Sequence, residues 1–119
     1  MDIVVVGGGK LGEDILHRLI KEGHNLTLID NDPRVIDDLI DEVDIKGVVG
    51  NGVDVEVQRE ANVQNAQVFI AASPHDEVNI ISAMIAKTLG AEFLIVRVRN
   101  QAFTAQQGFI QSNLGIEPD

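Results

Sequence analysis

The 119-residue sequence contains no cysteine, tyrosine or tryptophan, and only four phenylalanines. Without cysteine there is no disulfide framework and no thiolate metal site. Long apolar runs are missing too: none approaches the roughly 18 residues of a membrane span, so the chain reads as soluble, with no direct membrane insertion. Positive charge is scarce. Nine Lys and Arg stand against nineteen Asp and Glu, giving a formal net charge of −10. Such a surface repels nucleic acid phosphates, and the scattered Lys and Arg form no basic stripe, so no nucleic acid partner is expected. The acidity itself reads as solubility. The length suits a single domain over residues 1–119, able to bury roughly two-thirds of its unfolded surface. The first strand is expected to start at Asp2, which leaves no room for a signal peptide.

What the sequence does have is concentrated between Asp2 and Asp30. An apolar run from Ile3 to Val6 stops in Gly7, Gly9 and Gly12, the spacing Gly-x-Gly-x-x-Gly. An amphipathic helical pattern follows, then a second apolar run, Leu26 to Ile29, ending in Asp30. Strand, glycine turn, helix, strand and acid together make the dinucleotide-binding fingerprint. The glycine spacing alone would be weak; the complete unit is specific.

The rest of the chain repeats the alternation. The first helix is expected over about Lys10 to Glu22, with Leu11, Gly12, Ile15, Leu16, Leu19 and Ile20 on one half of its wheel, and Gly23 as its stop. Asp32 and Pro33 read as the N-cap and first position of a second helix, with Val35, Ile36, Leu39, Ile40 and Val43 as its apolar face. A strand over Lys46 to Val49 ends in Gly50-Asn51-Gly52. Asp54 caps a brief helix through Ala61, with Asn62 as a left-handed stop. A fourth strand, Val68 to Ala72, is broken by Ser73-Pro74-His75-Asp76, which opens a helix to Leu89 closed by Gly90. Its buried side is expected to hold Val78, Ile81, Ile85, Thr88 and Leu89, with Ala83 and Met84 nearby. A fifth strand over Phe93 to Val98 precedes a last helix, Gln101 to about Asn113. The pattern predicts an α/β fold, a Rossmann-like, doubly wound parallel sheet in three layers with right-handed crossovers. The final residues, Leu114 to Asp119, resemble the approach to another strand, as in part of a longer protein.

In such a sheet, ligands sit beyond the carboxyl ends of the strands where the strand order reverses. Gly7 would make the tight turn, Gly9 would admit a pyrophosphate to the backbone, and Gly12 would let helix and strand pack closely. Lys10 either donates to a phosphate or extends into solvent. Asp30 would accept both ribose hydroxyls of an adenosine and repel a 2′-phosphate, which favours NAD(H) over NADP(H). Asn51 could pair with an adenine edge, or simply be a turn residue between two glycines. Ala71, Ala72 and Ser73 leave room for ribose and phosphate, though Ser73 has a competing role as a cap. Arg97 and Arg99 alternate near the end of the fifth strand, facing a phosphate, a subunit or a structural carboxylate. His75 reads as a solvated loop residue and His17 and His24 as irrelevant to the site, with no His/Asp/Glu set at metal-ligand spacing.

Hydride-transfer enzymes need an acid–base group beside the nicotinamide and a substrate site. The Tyr-x-x-x-Lys pair of short-chain dehydrogenases cannot exist without tyrosine, and no Ser/His/Asp set is evident. The chain reads as a cofactor domain without catalytic residues. One rival reading is the NAD-binding domain of a dehydrogenase missing its substrate domain; a weaker one is the cytosolic domain of a proton-coupled antiporter.

The motifs Val6-Gly-Gly-Gly-Lys-Leu-Gly12, Leu28-Ile-Asp-Asn-Asp-Pro-Arg-Val35 and Gly50-Asn-Gly-Val-Asp54 also occur here in a fixed order. They continue with Arg59-Glu-Ala-Asn-Val63, Ala66-Gln-Val-Phe-Ile-Ala-Ala72, Asp76-Glu-Val-Asn79 and Val96-Arg-Val98. Together they resemble the N-terminal nucleotide-binding unit of RCK (or KTN) domains, as in TrkA- and KtrA-type regulators of potassium uptake, over essentially the whole chain. The resemblance implies a non-enzymatic sensor that binds NAD(H), or ADP and ATP, and gates a potassium-translocating membrane subunit. It implies a homodimer or higher ring, cytoplasmic and peripheral to the inner face of the cell membrane. It implies ligand contacts at the glycine turn (Gly7, Gly8, Gly9, Lys10, Leu11, Gly12), Asp30, Asn51, the Ala72-Ser73 corner and Arg97. Asn51-Gly52 departs from the more usual Asp-Ala, and Asn62 from a common Gly.

Overall fold

A computed structural model describes residues 1–100 of the chain. Five parallel strands, β1 (Asp2–Val6), β2 (Asn25–Asp30), β3 (Lys46–Val49), β4 (Val68–Ala71) and β5 (Phe93–Val96), form one sheet in the order β3-β2-β1-β4-β5. The helices between them are α1 (Lys10–Ile20), α2 (Pro33–Glu42), α3 (Val55–Glu60) and α4 (Asp76–Leu89), with a 3-10 turn at Val63–Asn65. The order reverses at β1, which lies between β2 and β4, so the switch point falls where the glycine turn begins. The last expected helix, Gln101 to Asn113, lies outside the described residues.

Strand alternation divides the core between the two faces. Ile3, Val5, Leu26, Leu28, Ile70 and Ala72 point to the side covered by Leu16 of α1 and by Ile36 and Leu39 of α2. Val4, Val6, Ile29, Val48, Phe69, Ala71 and Val96 point to the side covered by Ala61, Val63, Ile80, Ala83 and Ala86. Side chains at successive positions face opposite ways, so a strand buried on both faces must be apolar at every position. Ile3 to Val6 satisfies that requirement, and these four residues are all buried.

The helix boundaries follow local chemistry. The Asp32 carboxylate accepts from the Arg34 amide at 3.0 Å with Pro33 at the first position of α2, and the Asp54 carboxylate accepts from the Glu56 amide at 2.9 Å to start α3. Asn62 takes the left-handed conformation, φ 62° and ψ 35°, that stops α3. Helix α1 ends at Ile20, earlier than Glu22, with a turn leading to Gly23.

One expectation fails on α4. The helix spans the anticipated residues but is rotated about its axis, so that Ile81 (47% exposed) and Met84 (38%) face outward. Thr88 is exposed as well; Ala83 is buried as expected, and Asp76, Asn79, Ile80, Ser82 and Ala86 are buried with it. The cause is partly packing: Ala83 and Ala86 belong to the same cluster as Phe69, where small side chains let the helix approach the sheet. It is also partly polar, because Asn79 finds hydrogen-bond partners only on the inner side. Apolar periodicity registers neither effect. Strand β5 also ends at Val96, so Arg97 and Arg99 follow the strand rather than belonging to it.

Candidate functional site

Gly7 has φ +101° and leaves β1 in a conformation that side chains rarely adopt; a Cβ there would also lie 2.8 Å from the Ser73 backbone nitrogen. At Gly12 a Cβ would lie 1.7 Å from the Gly7 carbonyl oxygen, so α1 seats directly on the turn that starts it. At Gly9 a Cβ would meet nothing within 4 Å. That residue is the N-cap of α1 and supplies no side-chain cap. The first amides of a helix have no intrahelical acceptors, and here their positive end faces open space, a suitable seat for an anion.

Asp30 closes the turn from the neighbouring strand. Its Oδ2 accepts from the Gly8 amide at 2.8 Å and its Oδ1 from the Asp32 amide at 2.9 Å. These bonds fix the carboxylate's position, and each oxygen keeps further lone-pair capacity for a hydroxyl. The Asp30 carbonyl also accepts from the Gly50 amide at 2.9 Å, which brings the β3 turn to the same edge. Asn51 is exposed in that turn, and its Oδ1 accepts from the Val53 amide at 3.1 Å. Its carbonyl oxygen therefore shapes the turn, which supports the turn-residue reading, while the amide nitrogen sits at the surface.

On the β4 side the Ala72 amide bonds the Val6 carbonyl at 2.9 Å, setting Ala72 and Ser73 against the glycine turn. The Ser73 hydroxyl is committed: it donates to Asn79 Oδ1 at 2.8 Å and accepts from the His75 amide at 3.2 Å. Its role in this geometry is a corner cap. Lys10 is a surface residue, its side chain 87% exposed and paired with Asp14 at 3.2 Å. Arg97 is half-buried and lines a groove of about 510 Å³ between α1, β4 and β5, together with Leu11, Asp14, Ala72 and Ile95. The groove thus gathers Leu11, Ala72 and Arg97. Arg99 is exposed, and its backbone amide is held by Asp76 Oδ1 at 2.9 Å. His75 is exposed beside the corner.

A larger hollow of about 1040 Å³ lies at the other end of the sheet, by Asp2, Asn25 and Lys46. It contains none of the glycine-turn residues and sits at the amino ends of the strands, where parallel sheets do not place ligands. The carboxyl-edge crevice is the site the chemistry indicates. Two features of this fold were not read from the sequence. His17 Nε2 lies 3.7 Å from Glu13 and 3.3 Å from Glu42, so α1 and α2 bring together three groups with metal-ligand chemistry on the outer surface. Glu13 and His17 are four residues apart, a visible signal, but Glu42 reaches them only through the tertiary fold. Buried Gln58 is the second feature: its Nε2 donates to the Gly52 carbonyl at 2.7 Å and to the Ser82 carbonyl at 2.9 Å.

The family model for the TrkA-N domain matches residues 3–111 of this sequence. The chain belongs to the TrkA-N family. A Trk system potassium uptake protein TrkA homolog of Methanothermobacter thermautotrophicus is 37% identical over 100 residues, covering 84% of this chain and 46% of that protein. The Trk system potassium uptake protein TrkA of Azorhizobium caulinodans is 33% identical over 104 residues, covering 87% of this chain and 23% of that protein. The chain therefore spans less than half of either relative.

Among solved structures, the TrkA-N domain of the Escherichia coli inner membrane protein ybaL superposes with a TM-score of 0.84 at 19% identity, covering 98% of this chain and 84% of that one. The GsuK channel bound to NAD gives 0.81 at 17%, covering 98% and 21%. The Shewanella denitrificans Kef C-terminal domain in AMP-bound form gives 0.79 at 17%, covering 100% and 70%. At such identities these likenesses establish the fold, a Rossmann-like TrkA-N domain. No helix among the described residues is long and apolar enough to cross a membrane.

Proposed function

We propose that the carboxyl-edge crevice binds NAD(H) or an adenine nucleotide such as ADP or ATP, and that binding serves regulation instead of catalysis. In this reading the amides of Gly9, Lys10, Leu11 and Gly12 hold the pyrophosphate, with Gly7 as the pivot and the Gly8 amide holding Asp30 beside them. Asp30 holds the ribose hydroxyls, the Asn51 turn flanks the adenine, and Ala72, Ser73 and Arg97 border the remaining phosphate and ribose. The carrying observation is the Asp30 carboxylate fixed 2.8 Å from the glycine-turn amide, which sets ribose and pyrophosphate acceptors and donors side by side. A carboxylate in that place disfavours a 2′-phosphate, so NAD(H) is preferred to NADP(H).

The relatives named for potassium uptake support placing residues 1–119 as the nucleotide-binding part of a longer regulator. That regulator would attach to a potassium-translocating membrane subunit at the cytoplasmic face. Pairing into a homodimer or larger ring is part of the proposal, and the outward Ile81 and Met84 of α4 supply an apolar surface for it. Two ligands, or two redox states of one, would then favour different protomer geometries, and the ratio of affinities sets the shift.

Calorimetric titration with NAD⁺, NADH, ADP and ATP, with solution scattering in each state, tests the reading. Saturable binding with ligand-dependent shape is expected. Absence of binding by all four would overturn the site, and identical affinities and shapes for all four would overturn the switch.

A further inference from the structure

Helix α4 buries polar groups and exposes apolar ones, and its inner side is tied to the segments after β4 and β5 directly and to the β3 turn through Gln58. Asp76 accepts from the amides of Arg99 at 2.9 Å and Asn100 at 2.7 Å, just after β5. Asn79 Oδ1 accepts from the Ser73 amide at 3.0 Å, and its Nδ2 donates to the carbonyls of Ser73 at 2.8 Å and Arg97 at 2.9 Å. The Ser82 carbonyl accepts from Gln58, which also holds Gly52 in the β3 turn. Residues 76, 79 and 82 follow one another at three-residue steps on one side of a helix. A single helix is therefore bonded to the loops after β3, β4 and β5.

The Gln58 clamp carries a cost. Its Oε1 is buried without a partner, and turning the amide over would instead set that oxygen against two carbonyls. A buried acceptor without a hydrogen bond is unfavourable, and an apolar side chain of similar size would avoid it. What Leu or Met could not do is join Gly52 to Ser82. Gly52 in turn packs on Val6, where a Cβ would come within 2.6 Å of its Cγ1, so the β3 turn rests against the strand that enters the glycine turn.

We propose that Gln58 and Asn79 are positioning residues that transmit occupancy of the nucleotide crevice to α4, making its outer face at Met84 the place where binding is registered. The inference rests on the nucleotide reading above and adds its route of exit. A ligand that draws the Asn51 turn and the Ser73 corner together pulls on two points of one helix. Coupling of this kind requires that the ligand favour one arrangement of the helix over another.

The sequence supplies a reporter, because Met1 and Met84 are the only methionines. Methyl-labelled methionine NMR on the 119-residue chain, titrated with NADH and separately with ADP, reads α4 directly, and calorimetry reads binding. Saturation is expected to displace the Met84 signal. In Gln58→Leu and Gln58→Asn, neither of which can join both carbonyls, at least half of that displacement is expected to vanish while binding remains saturable. An unmoved Met84 signal at demonstrated saturation overturns the inference and needs no variant. An undiminished displacement in a folded variant also overturns it. Absence of binding in calorimetry overturns the nucleotide reading itself, a distinguishable result.

Discussion

Replacing Gly12 and Gly9 by alanine in separate variants should divide the stability of the glycine turn from its ligand function. At Gly12 the new Cβ would sit 1.7 Å from the Gly7 carbonyl oxygen, a backbone atom that cannot rotate away. Ordinary contact requires that separation to roughly double, so α1 must lift from β1 or the turn must reopen. Overpacking of this kind costs about 3 kcal/mol, at the upper end of the usual range because the obstacle is main chain. Alanine regains about 1 kcal/mol in helix propensity, leaving a net loss of about 2 kcal/mol. For a domain of this size that lowers the melting temperature by about 10 °C. At Gly9 the Cβ meets nothing and the backbone angles are extended, so the stability change should stay within about 0.5 kcal/mol. Ligand binding should nevertheless fall more than tenfold in Gly9→Ala, because the methyl occupies the approach to the helix amides. With no tryptophan or tyrosine to report unfolding, circular dichroism at 222 nm is the suitable probe, with NADH fluorescence for binding. A Gly12→Ala protein as stable as the native one, or a Gly9→Ala protein that binds NADH normally, would refute the reasoning.

Asp30→Asn puts an amide where two backbone amides already donate; NADH affinity should drop by about tenfold to a hundredfold, since a bond to a charged acceptor contributes about 1.5–3 kcal/mol. Calorimetry checks this, and unchanged affinity would remove Asp30 from the site. Asn79→Ala leaves the Ser73 amide and hydroxyl and the Arg97 carbonyl short of a buried partner, so urea denaturation should show a loss of about 3 kcal/mol or more, with Ser73→Ala milder. Ile81→Glu should leave the melting temperature of dilute protein within a few degrees, because the residue is already 47% exposed. If α4 is the protomer contact, sedimentation will show the variant monomeric where the native chain associates; equal association would place the contact elsewhere. Asn62→Gly should change stability by less than about 1 kcal/mol, whereas Asn62→Val should lose about 2 kcal/mol at φ 62°, as thermal melts can distinguish.

The parts of this fold legible in the sequence are those where one residue or one period decides the outcome. Asp32-Pro33, Asp54, Asn62 and Gly90 punctuate the helices because each satisfies a terminal group or a backbone conformation that few residues can. Ile3 to Val6 and Val68 to Ala71 read as central strands because nothing polar interrupts them. At the candidate site, the shape of the glycine turn and the placing of Asp30 against it are legible for the same reason: both are local, and their spacing is fixed by the strand–helix–strand unit. The Asn51 turn was half legible, since an Asx turn and an adenine contact ask for the same side chain. Ser73 was ambiguous until Asn79 appeared six residues later as its partner, a pairing that strand or helix periodicity does not encode.

The misread face of α4 has a physical explanation that also bears on function. A helix that merely covers a sheet would turn Ile81 and Met84 inward and gain apolar burial from both. This one turns Asn79 and Ser82 inward and keeps them completely buried, which is tolerable because Asn79 is bonded to the segments after β4 and β5, the Ser82 hydroxyl donates to the Asn79 carbonyl within the helix, and Gln58 Nε2 joins the Ser82 carbonyl to Gly52 in the β3 turn. The apolar burial forgone is the cost of those attachments. Stability alone would not select the exchange, since well-packed apolar side chains do as well or better than a buried polar network with an orphaned acceptor. The exchange makes sense where the loops must be held in register with one another and with a helix whose opposite face remains open for contact. Under the proposed reading, in which nucleotide binding serves regulation, such an arrangement has a use, because occupancy of the crevice then matters only if another surface can respond to it.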